Sequence, residues 1–166
     1  LKGLGVRISK GQIITLLTAN KDAFHSEKDA LLEAGLATAA WVTVDDTGAR
    51  HAGANEYTTH IGNDRFAWFA TRSCKSRLNF LDLLRAGHAD YVINAAAYLV
   101  EHQVAEAVIT ALLVDEHRSF ADDAAWHLDR LGPGQRRLVT EAAMIGAIVA
   151  RGLLSDTVIV SDEAGQ

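Results

Sequence analysis

The sequence predicts a mixed α/β fold in which helices pack on a small mixed sheet. Apolar residues recur with a period of two over 39–71, which is typical of strands, and with a helical period after residue 72. A short apolar run, Val158 to Val160, then returns to the strand pattern. Because a helical crossover precedes this last strand, we expect a buried strand that lies parallel to its partner.

Residues 1–38 are predicted to form a helical lead-in. Ser9 and Gln12 have the spacing of a capping box, and an apolar stripe follows them. A second helical stretch near 21–34 reaches Gly35, a residue type that often ends a helix. The lead-in is therefore expected to contain two helices.

The core, residues 39–166, begins with three predicted strands. Turn-forming residues at 53–55 and 62–64 separate runs that are rich in β-branched and aromatic side chains. We expect three antiparallel strands in a meander. The three runs are AAWVTVDDTGARH, EYTTHIG and RFAWFATRS.

Residues from about 73 to 153 are predicted to form a long helical insertion before the fourth strand. The longest helical pattern in it is AAAYLVEHQVAEAVITALLVDEH, and an interhelix break is expected at Pro133. A last helix is predicted from about residue 136 to Gly152. Candidate N-caps precede three of the helical patterns: Ser76, Asn94 and Ser119.

The composition limits the functional classes. The net charge of -5 and the pI near 5.8 give no overall attraction to nucleic acid, although local basic patches remain compatible with it. The single cysteine, Cys74, excludes an internal disulfide and fits a reducing, cytoplasmic location. No apolar run approaches the roughly 20 residues that cross a bilayer, so no membrane partner is expected. Since the chain lacks an initial methionine and stops soon after a strand pattern, we interpret it as an internal fragment.

Two aspartates, Asp45 and Asp162, follow the apolar residues of the first and last predicted strands. A meander, then helices, then a buried strand is the element order of the first half of a ribonuclease H-like fold. If these two strands are parallel neighbours, Asp45 closes the first at the edge where Asp162 closes the last. Hard oxygen ligands suit Mg²⁺ or Mn²⁺, and two such ions, about 3.5 to 4 Å apart, catalyse in-line displacement at phosphorus. The alternative is that Asp-Asp-Thr-Gly is an ordinary turn sequence.

A family resemblance rests on four stretches: GLGVRISKGQIITLLT, VTVDDTGARH, YTTHIGNDRFAWFATRSCKSRLNFLDLLRAGHADYVINAAA and DTVIVSDEAGQ. They resemble bacterial insertion-sequence transposases of the DDE class, close to the insertion-sequence-sixty-six type. In that family an acid and a threonine follow the first catalytic aspartate, as in Asp45-Asp46-Thr47. The second follows a buried strand and a serine, as in Ser161-Asp162. The likeness covers most of the chain and is weakest across 98–150.

The resemblance implies a DNA transposase that cleaves and transfers DNA strands with two Mg²⁺ or Mn²⁺ ions. By position, Asp45 and Asp162 are its catalytic residues and metal ligands, and Asp46 is a neighbouring acid that does not bind metal. A third acid is expected beyond Gln166, so we expect the chain alone to be inactive. Glu163 is a poor substitute, because adjacent side chains on a strand point in opposite directions. The implied partners are DNA, as transposon ends and target, and further copies in a homo-oligomer.

Three basic residues, Arg72, Lys75 and Arg77, follow the third predicted strand closely. Such a cluster suits contact with DNA phosphates, and a solvated loop is the alternative. The seven histidines lack the paired spacings of metal ligands, so surface or core positions are expected for them.

Two further functional classes remain open. One is a phosphotransferase of the actin-like ATPase superfold, since Asp-Asp-Thr-Gly after a strand resembles its phosphate loop. The sequence, however, lacks the second, glycine-rich phosphate loop. The other is a non-catalytic interaction module in which the helical insertion is the functional part. Carboxylates of Asp45 and Asp162 more than roughly 8 Å apart, too far to share a metal cluster, would favour this module.

Overall fold

The computed structural model describes residues 8–51, 53–93, 96–113, 117–121 and 131–161. Within these ranges helices pack on a four-stranded sheet, and a two-stranded ribbon packs on the last helix. The fold is therefore mixed α/β with a mixed sheet, as predicted. No helix in these ranges is long and apolar enough to cross a membrane. The elements are α1 (Lys10–Thr18), α2 (Lys21–Thr38), β1 (Trp41–His51), β2 (Ala54–Gly62), β3 (Ala67–Arg72), α3 (Arg77–Leu84), β4 (Tyr91–Val92), α4 (Ala96–Glu101), α5 (Glu106–Leu113), β5 (Ser119–Phe120), α6 (Pro133–Ala150) and β6 (Val158–Ser161).

The larger sheet has the strand order β3-β2-β1-β6. β2 pairs antiparallel with both β1 and β3, which confirms the predicted meander. β6 pairs parallel with β1, which confirms the predicted direction of the last strand. In this parallel pair Val42 lies beside Ile159 and Val44 lies beside Ser161. The two strands predicted to carry the aspartates are therefore neighbours.

β1 extends well beyond Asp45, so the prediction that this residue closes the first strand is wrong. Asp45 pairs with His60 of β2, and the antiparallel ladder continues as far as His51. The Asp-Asp-Thr-Gly sequence forms no turn because β2 offers a partner to each of its residues. The chain reverses instead near Gly53, whose φ of 84° is a conformation that glycine adopts readily.

Alternate residues of the sheet point toward the helices and form the core. Val42 of β1 and Ile61 of β2 are fully buried there, against Leu32 and Leu36 of α2. Burial of an aliphatic side chain of this size contributes about 1.5 to 3 kcal/mol to the free energy of unfolding. α3 and α6 complete the layer with Leu81, Leu83, Leu84, Met144 and Ile148. Three helices are thus fixed against one face of the sheet.

α2 ends at Thr38, so the prediction that Gly35 stops this helix is wrong. Gly35 is buried inside the helix, and a Cβ atom at its position would overlap the ring of Phe66. Glycine is therefore needed for the close approach of α2 to the loop between β2 and β3. Helical hydrogen bonding continues through it, since the Ala39 N–H donates to the Gly35 carbonyl oxygen.

The segment predicted as one long helix after Asn94 contains two helices in its described part. α4 ends at Glu101 and α5 begins at Glu106. Between them Gln103 has a φ of 56°, and a left-handed residue of this kind interrupts a right-handed helix. The break lets Val104 enter a second apolar cluster with residues of α4 and α6. Asn94 itself lies outside the described residues.

Two other residues of the insertion have positions that differ from those predicted. Ser119 lies in β5, paired with Val92 of β4, rather than at a helix N-cap. The helix predicted after it falls mainly on 122–130, outside the described residues. Pro133 begins α6 instead of lying in a break, because its fixed φ suits the first turn of a helix, where no N–H is needed.

β6 is exposed, so the prediction of a buried last strand is wrong. Val158, Ile159 and Val160 are 61%, 40% and 49% exposed. Among the described residues β6 pairs only with β1, and the face of the sheet away from the core also exposes Trp41 and Phe69. An apolar run identifies a strand, but it does not say which layers cover that strand.

Candidate functional site

Asp45 lies on the face of the sheet away from the core, which we call the open face and define by Trp41, Asp45, His60 and Phe69. Asp45 and His60 are directly paired, so both side chains emerge on this face. The His60 ring packs against the ring of Phe69 on β3, with 4.9 Å between the centroids. Asp45 is exposed, and its carboxylate has no hydrogen bond or ion pair with any described residue. It is therefore accessible to a ligand.

The pairing of β1 with β6 links the two predicted metal ligands. The described parallel ladder ends with Val44 beside Ser161. Asp45 is the next residue on β1, and Asp162 is the next residue in the chain after Ser161. Asp162 and Glu163 lie outside the described residues. The structure therefore gives the position of one predicted ligand and of the strand that leads to the other.

Asp46 lies on the core-facing side of β1. Its carboxylate accepts a hydrogen bond from Thr59 Oγ1, and Lys75 Nζ donates to its main-chain carbonyl oxygen at 3.4 Å. Since adjacent residues of a strand point to opposite faces, Asp45 and Asp46 do not present their carboxylates side by side. This geometry is consistent with the interpretation of Asp46 as a neighbour of the site and not a ligand.

The three basic residues predicted to contact DNA are engaged by different partners. Arg72 forms an ion pair with Asp82 at 3.2 Å and lines a cavity of about 350 Å³ between α2, β3 and α3. Lys75 Nζ donates to the main-chain carbonyl oxygen of Asp46. Arg77 reaches toward Glu141 of α6, with 3.6 Å between Nε and Oε2, and its side chain is 51% exposed. Arg72 and Lys75 also line one small pocket beside Asp46, whereas Arg77 is directed toward α6.

The described residues fit part of a magnesium site. In the described ranges no group of three or more histidine, cysteine, aspartate or glutamate side chains is arranged to hold a metal ion. Asp45 supplies one exposed carboxylate whose oxygens have no described protein partner. Mg²⁺ is commonly held by one or two carboxylates together with water and substrate phosphates. Asp45 therefore suits a first ligand, and a second carboxylate beside it would give the usual protein contribution.

A second polar group, which we call the Glu141 cluster, lies where α6 meets α3 and α4. It consists of Arg77, Tyr98, Arg137 and Glu141. The Glu141 side chain is only 2% exposed, and it accepts hydrogen bonds from Arg137 Nε at 2.8 Å and from the Tyr98 hydroxyl at 2.7 Å. The guanidinium of Arg77 also lies over the Tyr98 ring, 5.5 Å from its centroid. The cluster ties α3 and α4 to α6, the helix that packs on the sheet.

Ionisation in the Glu141 cluster follows from these contacts. Burial opposes the charged form of Glu141, but hydrogen bonds from Arg137 and Tyr98 and the nearby positive charges outweigh it and hold the pKa of Glu141 below its ordinary value. Burial and the hydrogen bond to the carboxylate raise the pKa of Tyr98 to about 12. At neutral pH the cluster therefore holds one carboxylate, two guanidinium groups and a neutral phenol.

The sequence singles out neither His60 nor three members of the Glu141 cluster, Tyr98, Arg137 and Glu141, whereas the fourth member, Arg77, is predicted as a DNA contact. The position of His60 beside Asp45 could have been predicted from the hairpin register, which the turn at Gly53 sets. Arg137 and Glu141 have the i, i+4 spacing of a helical ion pair, which is also a local signal. The burial of Glu141 and the approach of Tyr98 depend on how three helices pack, and no local pattern contains that information.

Comparison with known proteins gives little functional information. The chain is 45% identical over 145 residues to an uncharacterized protein, y4jO, of Sinorhizobium fredii. The match covers 82% of this chain and 45% of that protein, so the chain spans less than half of the length of this relative. No protein-family model matches the chain. No solved structure matches it either.

Proposed function

We propose that the chain carries the first part of a divalent-metal-dependent site for DNA strand cleavage and transfer, in a ribonuclease H-like fold. Asp45 and Asp162 are the proposed metal ligands. The observation that carries the proposal is the parallel register of β1 and β6, in which Val44 and Ser161, the residues just before the two aspartates, lie side by side. Corresponding positions on adjacent parallel strands lie at the same level of a sheet, so this register supports a shared metal site.

The sheet supports the same proposal. An antiparallel meander of β1, β2 and β3, followed by helices and then by β6 as a parallel neighbour of β1, meets the two conditions that the proposal set for the sheet. The family resemblance of the sequence adds the expected chemistry. Since the chain spans less than half of its curated relative, we assign the activity to a longer protein that also supplies a third acid.

The proposed roles follow from the exposure of the residues. When bound, Mg²⁺ ions at such a site activate a water molecule or a 3' hydroxyl and stabilise the leaving oxygen. Asp45 binds and orients the metal with an exposed carboxylate that has no competing partner among the described residues. We propose that the sugar-phosphate backbone of a DNA strand lies on the open face beside it. Asp46 does not take part, because its carboxylate is hydrogen-bonded to Thr59 on the other face.

The phosphotransferase alternative has less support. It depends on a phosphate loop at Asp-Asp-Thr-Gly, and each of these four residues is paired with a residue of β2. An extended strand directs successive backbone N–H groups to opposite sides, and alternate ones here face β2, so this stretch does not form the concave array of N–H groups that a phosphate loop offers to its ligand. The interaction-module alternative remains the outcome to expect if the metal site is absent.

The test is Mg²⁺-dependent cleavage of DNA ends by the longer protein, with Asp45→Asn compared with the matched neighbour Asp46→Asn. Loss of groups that only orient a metal ligand costs about 10-fold to 100-fold in activity, so loss of a ligand should cost at least about 100-fold. We expect this loss in Asp45→Asn and a change within about threefold in Asp46→Asn. Unchanged cleavage in Asp45→Asn would refute the assignment.

A further inference from the structure

The Glu141 cluster contains more positive charge than is needed to stabilise the buried Glu141 carboxylate. A buried carboxylate is costly unless it is paired and hydrogen-bonded. Arg137 and Tyr98 already satisfy one Glu141 oxygen each. Arg77 approaches as a second cation from another helix, at 3.6 Å. The cluster therefore gathers two positive charges around one negative charge.

Each arginine turns the Nε edge of its guanidinium toward Glu141, and its side chain remains partly exposed to solvent. Arg137 donates to Glu141 through Nε, and Nε is also the nearest atom of Arg77 to this carboxylate. Their side chains are 62% and 51% exposed, and among the described residues neither has another carboxylate partner. The terminal nitrogens of a guanidinium form the planar fork that pairs with phosphate oxygens.

The cluster also restrains the arginines, Arg137 by a hydrogen bond and Arg77 by an ion pair and a ring contact. Tyr98 supports both groups, since its hydroxyl donates to Glu141 and its ring lies under the Arg77 guanidinium. Because the Tyr98 phenol stays neutral, it does not cancel the surplus positive charge. A preorganised cation loses less side-chain entropy on binding than a free one.

The position of the pair relates it to the proposed metal site. Arg77 begins α3, and Lys75, two residues earlier, donates to the main-chain carbonyl of Asp46 on β1. This contact brings the start of α3 close to the strand that carries Asp45.

We propose that Arg77 and Arg137 form a phosphate-binding site for the sugar-phosphate backbone of DNA, with Glu141 and Tyr98 as positioning residues. The inference rests on the proposed function for the identity of the nucleic acid. Each arginine contacts a phosphate and releases counterions, and the contact is independent of base sequence. Glu141 fixes the two guanidinium planes and does not touch the DNA.

The test is binding of a fluorescently labelled duplex in EDTA, measured by anisotropy over a range of salt concentrations. Arg77→Gln and Arg137→Gln should each weaken binding about eightfold near 0.1 M salt and reduce the slope of log K against log salt by about one. The matched control is Arg65→Gln, an exposed arginine just before β3, which should change affinity less than about twofold. Equal losses in Arg65→Gln, or no loss in the other two, would overturn the inference.

One further variant separates a directed guanidinium contact from a simple charge effect, and folding is checked separately. Arg137→Lys keeps the charge but removes the planar fork, so affinity should fall at least about threefold; full affinity in this variant would overturn the inference. Melting temperature and circular dichroism identify any variant that fails to fold, and Arg77→Gln, which lies farther from Glu141, then decides the result. Because inorganic phosphate competes with backbone phosphates for the same guanidinium groups, 10 mM inorganic phosphate at constant ionic strength should weaken DNA binding by the wild-type protein more than by Arg137→Gln; equal weakening of both would overturn the inference.

The outcomes also distinguish this inference from the proposed function. Binding in EDTA needs no metal, so it is independent of Asp45. If the arginine variants lose DNA affinity while Asp45→Asn keeps full cleavage, the phosphate site stands and the metal assignment fails. If Asp45→Asn abolishes cleavage while the arginine variants bind normally, the metal assignment stands and the phosphate site fails.

Discussion

The open face and the Glu141 cluster place the same chemical group in opposite environments. Asp45 is exposed, and its carboxylate has no partner among the described residues, whereas Glu141 is buried and is contacted by two arginines and a tyrosine. A carboxylate that accepts several charge-assisted hydrogen bonds has little capacity left for a cation. An exposed carboxylate loses only hydrogen bonds to water when it binds a cation. An available carboxylate, together with the register that leads toward Asp162, therefore distinguishes the candidate ligand Asp45 from the structural acid Glu141.

The largest expected effect is on stability, from Glu141→Ala. This change leaves Arg77, Arg137 and the Tyr98 hydroxyl without their shared partner, and breaking a buried charge pair typically costs about 3 to 5 kcal/mol. Because both arginines can turn to solvent, we expect a loss near the lower limit, about 3 kcal/mol. Asp45→Ala, on the open face, should change stability by less than about 0.5 kcal/mol. Urea unfolding of both variants measures the difference, and equal losses would remove the contrast between the two acids.

A smaller effect is expected from pH, through Tyr98. Its pKa is raised to about 12 in the folded chain, above the ordinary value near 10. The folded state therefore holds the phenolic proton more tightly, so this stabilisation is complete below about pH 10 and is lost as the pH rises toward 12. Urea unfolding between pH 9 and 12 should show a decline that is reduced in Tyr98→Phe. An identical decline in this variant would show that other groups cause it.

The strands were predictable because their periodicity is local. The alternation over 39–71 and the short apolar run at 158–160 were sufficient to predict a meander and a parallel return strand. The exposure of Val160 was not predictable, since the sequence of a strand does not identify the layer above it. For the same reason Gly35 was mistaken for a helix stop, because only the approach of Phe66 explains a glycine within α2.

The candidate site was predictable in part. The apolar run before Asp45 identified the strand, but hydrogen bonding to β2 decided that the strand continues past this residue. The opposite faces of Asp45 and Asp46 follow from the two-residue period alone. Arg77 was identified as basic and near a strand end, while its contact with Glu141 required the packing of α3 on α6.

The most direct test of the metal assignment is Mn²⁺ binding to this chain, measured by the loss of the free-ion electron paramagnetic resonance signal. It requires no DNA and no third acid. We expect wild-type protein and Asp46→Asn to bind Mn²⁺ alike and Asp45→Asn to bind it at least about tenfold more weakly. Equal Mn²⁺ binding by wild-type protein and Asp45→Asn would show that Asp45 is not a metal ligand.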